Sequence, residues 1–101
     1  MASDELHWLM EWYAGQCDGD WEHSFGIRLD TLDNPGWTLT IDLDGTGLEA
    51  KPFDAVEDDL TSDVSWWVCK VENAKFIGHC GPRDLAAVLK VFRDWASRTP
   101  S

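Results

Sequence analysis

From Trp37 to Asp44 the chain alternates without a break. Trp37, Leu39, Ile41 and Leu43 take one side; Thr38, Thr40, Asp42 and Asp44 take the other. A period of two marks a strand with one buried and one solvated face; here the solvated face reads as wet and acidic. Upstream, Phe25, Ile27, Leu29 and Thr31 alternate with Gly26, Arg28 and Asp30. Between the two runs Asp33-Asn34-Pro35-Gly36 supplies a turn, because Pro presets φ and Gly accepts a positive φ. A hairpin with a single apolar face follows, and such a face must be covered by something else in the chain.

Two helices are available to cover it. Near the C-terminus, Leu85, Val88, Leu89, Phe92, Trp95 and Ala96 form one apolar stripe, with Lys90 and Arg93 turned away from it. Gly81-Pro82 opens this helix and it ends near Ser97, ahead of Pro100. At the N-terminus Ser3 reads as an N-cap, with Asp4 and Glu5 suited to the positive end of a helix over about residues 4–16. Leu6, Leu9, Met10, Tyr13 and Cys17 recur at helical spacing as its core stripe, and Trp8 and Trp12 form a second stripe beside it. Gly15 and then Asp18-Gly19-Asp20 end it.

The middle of the chain adds strands. Gly45-Thr46-Gly47 breaks the first hairpin, and a short extended piece is expected from Leu48 to Phe53. Glu57-Asp58-Asp59 and Asp63 read as a loop too charged to bury. Val64 to Val71 is rich in β-forming residues. Glu72-Asn73-Ala74-Lys75 reads as a tight turn, although Ala is a poorer second turn residue than Gly. Phe76 to His79 returns as a strand. The expected fold is α+β: an antiparallel meander sheet of four to five strands, with an N-terminal and a C-terminal helix packed on one face. At 101 residues it is one domain.

Charge narrows the partners. Sixteen of the 19 acidic residues lie in the first 63 positions, where only Arg28 and Lys51 oppose them, giving that stretch a formal charge of −14 within a total of −11. Such a field repels nucleic acid and anionic membrane and attracts a basic protein surface; the bland alternative is a solubilising surface. No apolar run approaches the roughly 20 residues needed to span a bilayer. The N-terminus is acidic where a secretion signal is basic, so a cytoplasmic protein is expected. Cys17, Cys69 and Cys80 are odd in number and irregular in spacing, which fits reduced thiols.

Chemistry is poorly supported. Asp18, Asp20 and Glu22 alternate like the start of a calcium loop, but the sixth and twelfth positions, where Gly and Glu belong, are His23 and Leu29. Cys17, His23, His79 and Cys80 lack the Cys pair of a zinc site, and His79 and Cys80, adjacent on a strand, point to opposite faces. No catalytic cysteine signature and no phosphate loop is present. No metal and no cofactor are expected. Seven Trp are unusual in so short a chain. Trp37 and Trp95 fit core stripes; Trp8, Trp12 and one of Trp66 and Trp67 have weaker claims to burial, since adjacent residues of a strand face opposite sides.

Several strings resemble one family. Trp8-Leu9-Met10-Glu11-Trp12-Tyr13, Gln16-Cys17-Asp18-Gly19-Asp20-Trp21-Glu22-His23-Ser24 and Thr31-Leu32-Asp33-Asn34-Pro35-Gly36-Trp37 resemble the immunity protein 53 family of bacterial polymorphic toxin systems. Cys69-Lys70-Val71-Glu72-Asn73 and Gly81-Pro82 before an amphipathic helix are also similar. The likeness is strongest over residues 8–43 and weak over 48–65. The family usually has Gly where this chain has Ala74. The resemblance implies a cytoplasmic antitoxin without catalytic residues, whose partner is a cognate toxin domain.

With a basic, nuclease-type toxin as partner, the candidate contact residues are Asp18, Asp20, Glu22, Asp42, Asp44, Glu57, Asp58, Asp59 and Asp63, with Trp21 and one of Trp66 and Trp67 as aromatic anchors. The Asp18–His23 string has an equal structural reading, as a helix-to-strand corner whose carboxylates hold backbone N–H groups. Two other functions stay open: a small metal-binding or Cys/His hydrolytic enzyme, and a chaperone-like module for a secreted effector. The oligomeric state is taken as monomeric by default.

Overall fold

Both hairpins form, and they lie side by side in one sheet. A computed structural model of the chain describes residues 2–33, 35–58 and 65–97. β1 (Ile27–Leu32) pairs with β2 (Gly36–Asp42), and β4 (Trp67–Glu72) pairs with β5 (Lys75–Cys80), each antiparallel across its turn. The second turn keeps its two-residue form because Asn73 and Ala74 both adopt positive φ, +56° and +59°. A three-residue strand, β3 (Val56–Asp58), pairs with β4. The strand order is β1-β2-β5-β4-β3, antiparallel throughout.

The class is α+β with one antiparallel sheet, but the order is not that of a sequential meander. β5 takes the place beside β2, in register Leu39↔Gly78 and Ile41↔Phe76, and β3 is left at the far edge. The reason lies in the strands themselves. β5 carries Phe76, Gly78 and Cys80, all buried, on one face, so it suits the centre. β3 is short and holds Glu57 and Asp58, and short charged strands belong at edges. Glu57 and Asp58 therefore lie in an edge strand rather than a loop. The extended piece expected at 48–53 is a run of turns instead, with Leu48 buried in the core.

The inner face of the sheet carries Leu39, Ile41, Phe76 and Cys69, and α3 (Leu85–Ser97) lies on it through Val88, Leu89, Phe92 and Trp95. The approach is tight at Gly78, where a Cβ would come within 2.5 Å of Val88 Cγ1. Trp95 is fixed by its indole N–H, which donates to the Pro52 carbonyl at 2.8 Å, and Lys51 donates to the Trp95 carbonyl at 2.6 Å.

α1 (Ala2–Gln16) packs beside α3, and its inward stripe differs from the expected one. Trp8, Leu9 and Trp12 join the core; Leu6, Met10 and Tyr13 are exposed at 52%, 58% and 38%. Two apolar stripes compete for the core on this helix, and indoles bring more area than Leu or Met. Edge-on contacts with Phe92 hold them, at 5.8 Å for Trp8 and 5.1 Å for Trp12. Glu5, on the same side, meets Arg93 at 3.4 Å. The helix begins at Ala2, so Ser3 lies inside its first turn.

Candidate protein-binding surface

The Asp18–His23 string folds as a corner. After α1 the chain turns into a single helical turn, α2 (Trp21–Ser24), too short to leave a helical period in the sequence. Asp18 Oδ1 accepts the backbone N–H groups of Asp20 and Trp21, at 3.0 and 2.9 Å. Glu22 reaches back and accepts those of Asp18 and Gly19, at 3.0 and 2.9 Å. The two carboxylates thus satisfy four amides reciprocally, the logic of a capping box. Bonds from Trp21 and Asp20 hold the Asp18 carboxyl below the usual range. For Glu22, its own N–H and those of Asp18 and Gly19 do the same. The structural reading of the string therefore holds for Asp18 and Glu22. Asp20 differs: among the described residues its exposed carboxylate has no partner.

Trp21 is 6% exposed and points inward. Its ring meets Trp12 and Tyr13 edge-on at 6.3 and 5.9 Å, and its indole N–H donates to the Asp44 carbonyl at 2.7 Å. This corrects its expected role as a surface anchor. A Trp followed by polar residues shows no periodicity that would reveal burial. The same bond brings the corner against the loop that follows β2. In that loop Glu49 accepts the N–H groups of Gly45 and Gly47, both at 2.8 Å. Glu49 was not among the candidates, although a carboxylate just after Gly-Thr-Gly is a readable sign of such a loop. Asp18, Asp20, Glu22, Asp44 and Glu49 thus gather at one end of the molecule.

Asp42 is also corrected. It is 2% exposed, not solvated. Its carboxylate accepts Lys75 Nζ at 2.7 Å and the Gly26 N–H at 2.9 Å, and Arg28 lies at 3.8 Å. Burial pushes its pKa up, but the bonds from Lys75 and Gly26 and the charges of Lys75 and Arg28 outweigh it, and the net is below the usual range. The alternation is read correctly; the burial arises because Lys75 lies directly opposite on β5, a pairing that one strand cannot show. The open face of the sheet is also mixed in charge, since Arg28, Lys70 and Lys75 share it.

The remaining candidates lie elsewhere. Asp58 pairs with Trp67, which pairs with Cys80, which pairs with Trp37. That row is five residues along β2 from Asp42, about 17 Å, and β3 is three strand spacings, about 14 Å, from β2. The side chains of Glu57 and Asp58 lie outside the described residues, as do Asp59 and Asp63. Trp67 packs against the core. Trp66 is half-buried outside the core cluster, and its backbone N–H donates to Asp84 at 2.9 Å, with Ser65 on the other oxygen at 3.3 Å.

Metal and thiol chemistry find little here. Among the described residues no three His, Cys, Asp or Glu side chains come together as a metal set. Cys69 and Cys80 are buried thiols, pushed up to about 12 and about 11 chiefly by loss of water. His79 lines a shallow hollow on the open face with Val68 and Ile77, while Cys80 faces the core. No described helix is long and apolar enough to cross a membrane.

No curated protein sequence and no solved structure shows a significant match to this chain. The family model described as immunity protein 53 matches residues 6–97, which include all of α1 but its first four residues, the corner, the whole sheet and α3. On that match the chain belongs to the immunity protein 53 family.

Proposed function

We propose that this protein neutralises a cognate toxin domain by stoichiometric binding in the cytoplasm, and that it performs no catalysis. The partner is a basic, nuclease-type toxin, and the acidic end of the molecule is seated against it. The observation that carries this reading is the joining of the Asp18–Glu22 corner to the Asp44–Glu49 loop, with Asp20 exposed and unpaired among the described residues. A rigid set of carboxylates can stand in for the phosphates of a nucleic acid, and it also steers association. The β3 side, with Glu57, Asp58 and Trp66, is the second contact region, and Asp59 and Asp63, which follow β3 in sequence, are further candidates.

Calorimetric titration into the catalytically inactive toxin domain encoded beside the gene tests this, at low and at physiological salt. The expected result is tight one-to-one binding that weakens with salt. Asp20→Lys with Asp44→Lys should slow association if the corner end is the contact, and Glu57→Lys with Asp58→Lys should do so if the β3 side is. An association rate indifferent to both pairs would overturn the electrostatic surface. Absence of binding at either salt would overturn the toxin assignment.

A further inference from the structure

β1 is an edge strand whose outer side is self-complementary. Its inner side is committed to β2. The Asp42 N–H donates to the Gly26 carbonyl at 3.0 Å, and Gly26 returns its N–H to the Asp42 carboxylate. In an antiparallel ladder bonded pairs alternate, so the peptide groups of Arg28, Asp30 and Leu32 also face β2. Those of Ile27, Leu29 and Thr31 face outward, where no strand of the described residues lies beside them.

We propose that a second copy of this chain pairs antiparallel on β1 about a dyad at Leu29, making a continuous ten-stranded sheet. In that register Leu29 faces Leu29 of the partner copy, and Ile27 faces Thr31. All three outward residues then meet outward residues, giving six backbone hydrogen bonds. Arg28 of each copy lies opposite Asp30 of the other, twice. A two-residue slide keeps the backbone parity but puts Arg28 opposite Arg28 or Asp30 opposite Asp30. Like charges directly opposite are destabilising, so charge selects one register.

Two further features fit. Arg28 and Asp30 are exposed; the Arg28 side chain, 73% accessible, reaches Asp42 only at 3.8 Å. The Asp30 carboxylate accepts the neighbouring Thr31 N–H at 2.8 Å, capping the edge in the single chain. Pairing exchanges that bond for the partner's Ile27 carbonyl and releases Asp30 to the partner's Arg28. On the helical face Leu29 is 50% exposed, and Met10 and Tyr13 of α1 form a groove with Gly26 and Ile27. A dyad perpendicular to the sheet puts both helical layers on the same face, so the exposed Met10 and Tyr13 beside β1 lie on the side of the partner copy. Burial of these groups is the apolar contribution that edge bonds alone lack.

Sedimentation of the full chain over a concentration series tests the pairing. The wild type should show a monomer–dimer equilibrium. Arg28→Asp and Asp30→Arg should each weaken it by about tenfold or more, and the double exchange should restore it. Leu29→Pro removes an outward N–H and no bond to β2, so the variant should fold and stay monomeric, with folding checked by its melting curve. A wild type that is monomeric throughout overturns the proposal, as does a dimer indifferent to Arg28→Asp and Leu29→Pro. A monomeric wild type whose Leu29→Pro variant loses the toxin domain also overturns it, and assigns the edge to the toxin.

Discussion

The indole N–H of Trp21 donates to the backbone carbonyl of Asp44 at 2.7 Å, across 23 residues of chain. This bond ties the corner after α1 to the loop after β2. Trp21→Phe keeps most of the ring burial and loses the bond, so it should cost about 1 kcal/mol. Trp21→Ala also opens a cavity beside Trp12 and Phe25 and should cost about 3–5 kcal/mol. Denaturant midpoints of the two variants check the difference.

Within the corner, stability and recognition should separate by residue. Asp18 and Glu22 each hold two backbone amides; among the described residues Asp20 holds none. Asp18→Ala and Glu22→Ala should lower the melting temperature, and Asp20→Ala should leave it unchanged while weakening toxin binding. Parallel melting and calorimetry on the three variants would show it. Equal loss of stability in all three would place Asp20 in the corner as well.

The parts of the fold that were legible are those with a strong period. The alternation that begins at Trp37, the stripe of α3 and the Asn73–Ala74 turn each commit their residues locally. The buried face of α1 is not legible because two apolar stripes lie on it, and only the presence of Phe92 beside Trp8 and Trp12 decides between them. The position of β5 beside β2 depends on competition between strands far apart in sequence. The acidic candidates divide for the same reason: Asp42, Asp18 and Glu22 carry the same carboxylate group as Asp20, and only neighbouring backbone amides and, for Asp42, Lys75 engage them.

Asp42 should make the fold sensitive to acid. Its folded pKa lies below its ordinary value, which is about 3.9 in an unfolded chain. The stabilisation is therefore fully present above that value and is lost as pH falls through the lower, folded one. Asp42→Asn should flatten the fall in stability below about pH 4. It should also lower stability at neutral pH by about 1–3 kcal/mol, because the Lys75 and Gly26 donors lose their charged acceptor. Urea denaturation at a series of pH values measures both.

The thiols should divide one against two. Cys17 is exposed, its sulfur 3.3 Å from the Tyr13 carbonyl, whereas Cys69 and Cys80 are 2% and 1% exposed. Their pKa values near 12 and 11 keep them protonated, and thiolate is the reactive form. A disulfide reagent at mildly alkaline pH should modify Cys17 alone in the folded protein and all three cysteines in denaturant. Rapid native reaction of Cys69 would show that the β4–β5 face opens readily.

Ala74 offers a route to a more stable protein. It sits at φ +59° as the second residue of the β4–β5 turn, after Asn73 at +56°. Asn tolerates this region, but a Cβ there costs about 1–2 kcal/mol. Glycine removes that strain and returns about 0.5–1 kcal/mol of it through the greater freedom of the unfolded chain. Ala74→Gly should therefore raise stability by about 0.5–1 kcal/mol. The Ala74 carbonyl, which accepts the Leu43 N–H at 2.9 Å, would be unaffected, so the turn should keep its place against β2. Ala74→Val, with a branched side chain in the same conformation, should be destabilising. If thermal melts showed Ala74→Gly to be neutral or harmful, the turn would not carry the left-handed pair, and the register of β4 on β5 would need to change with it.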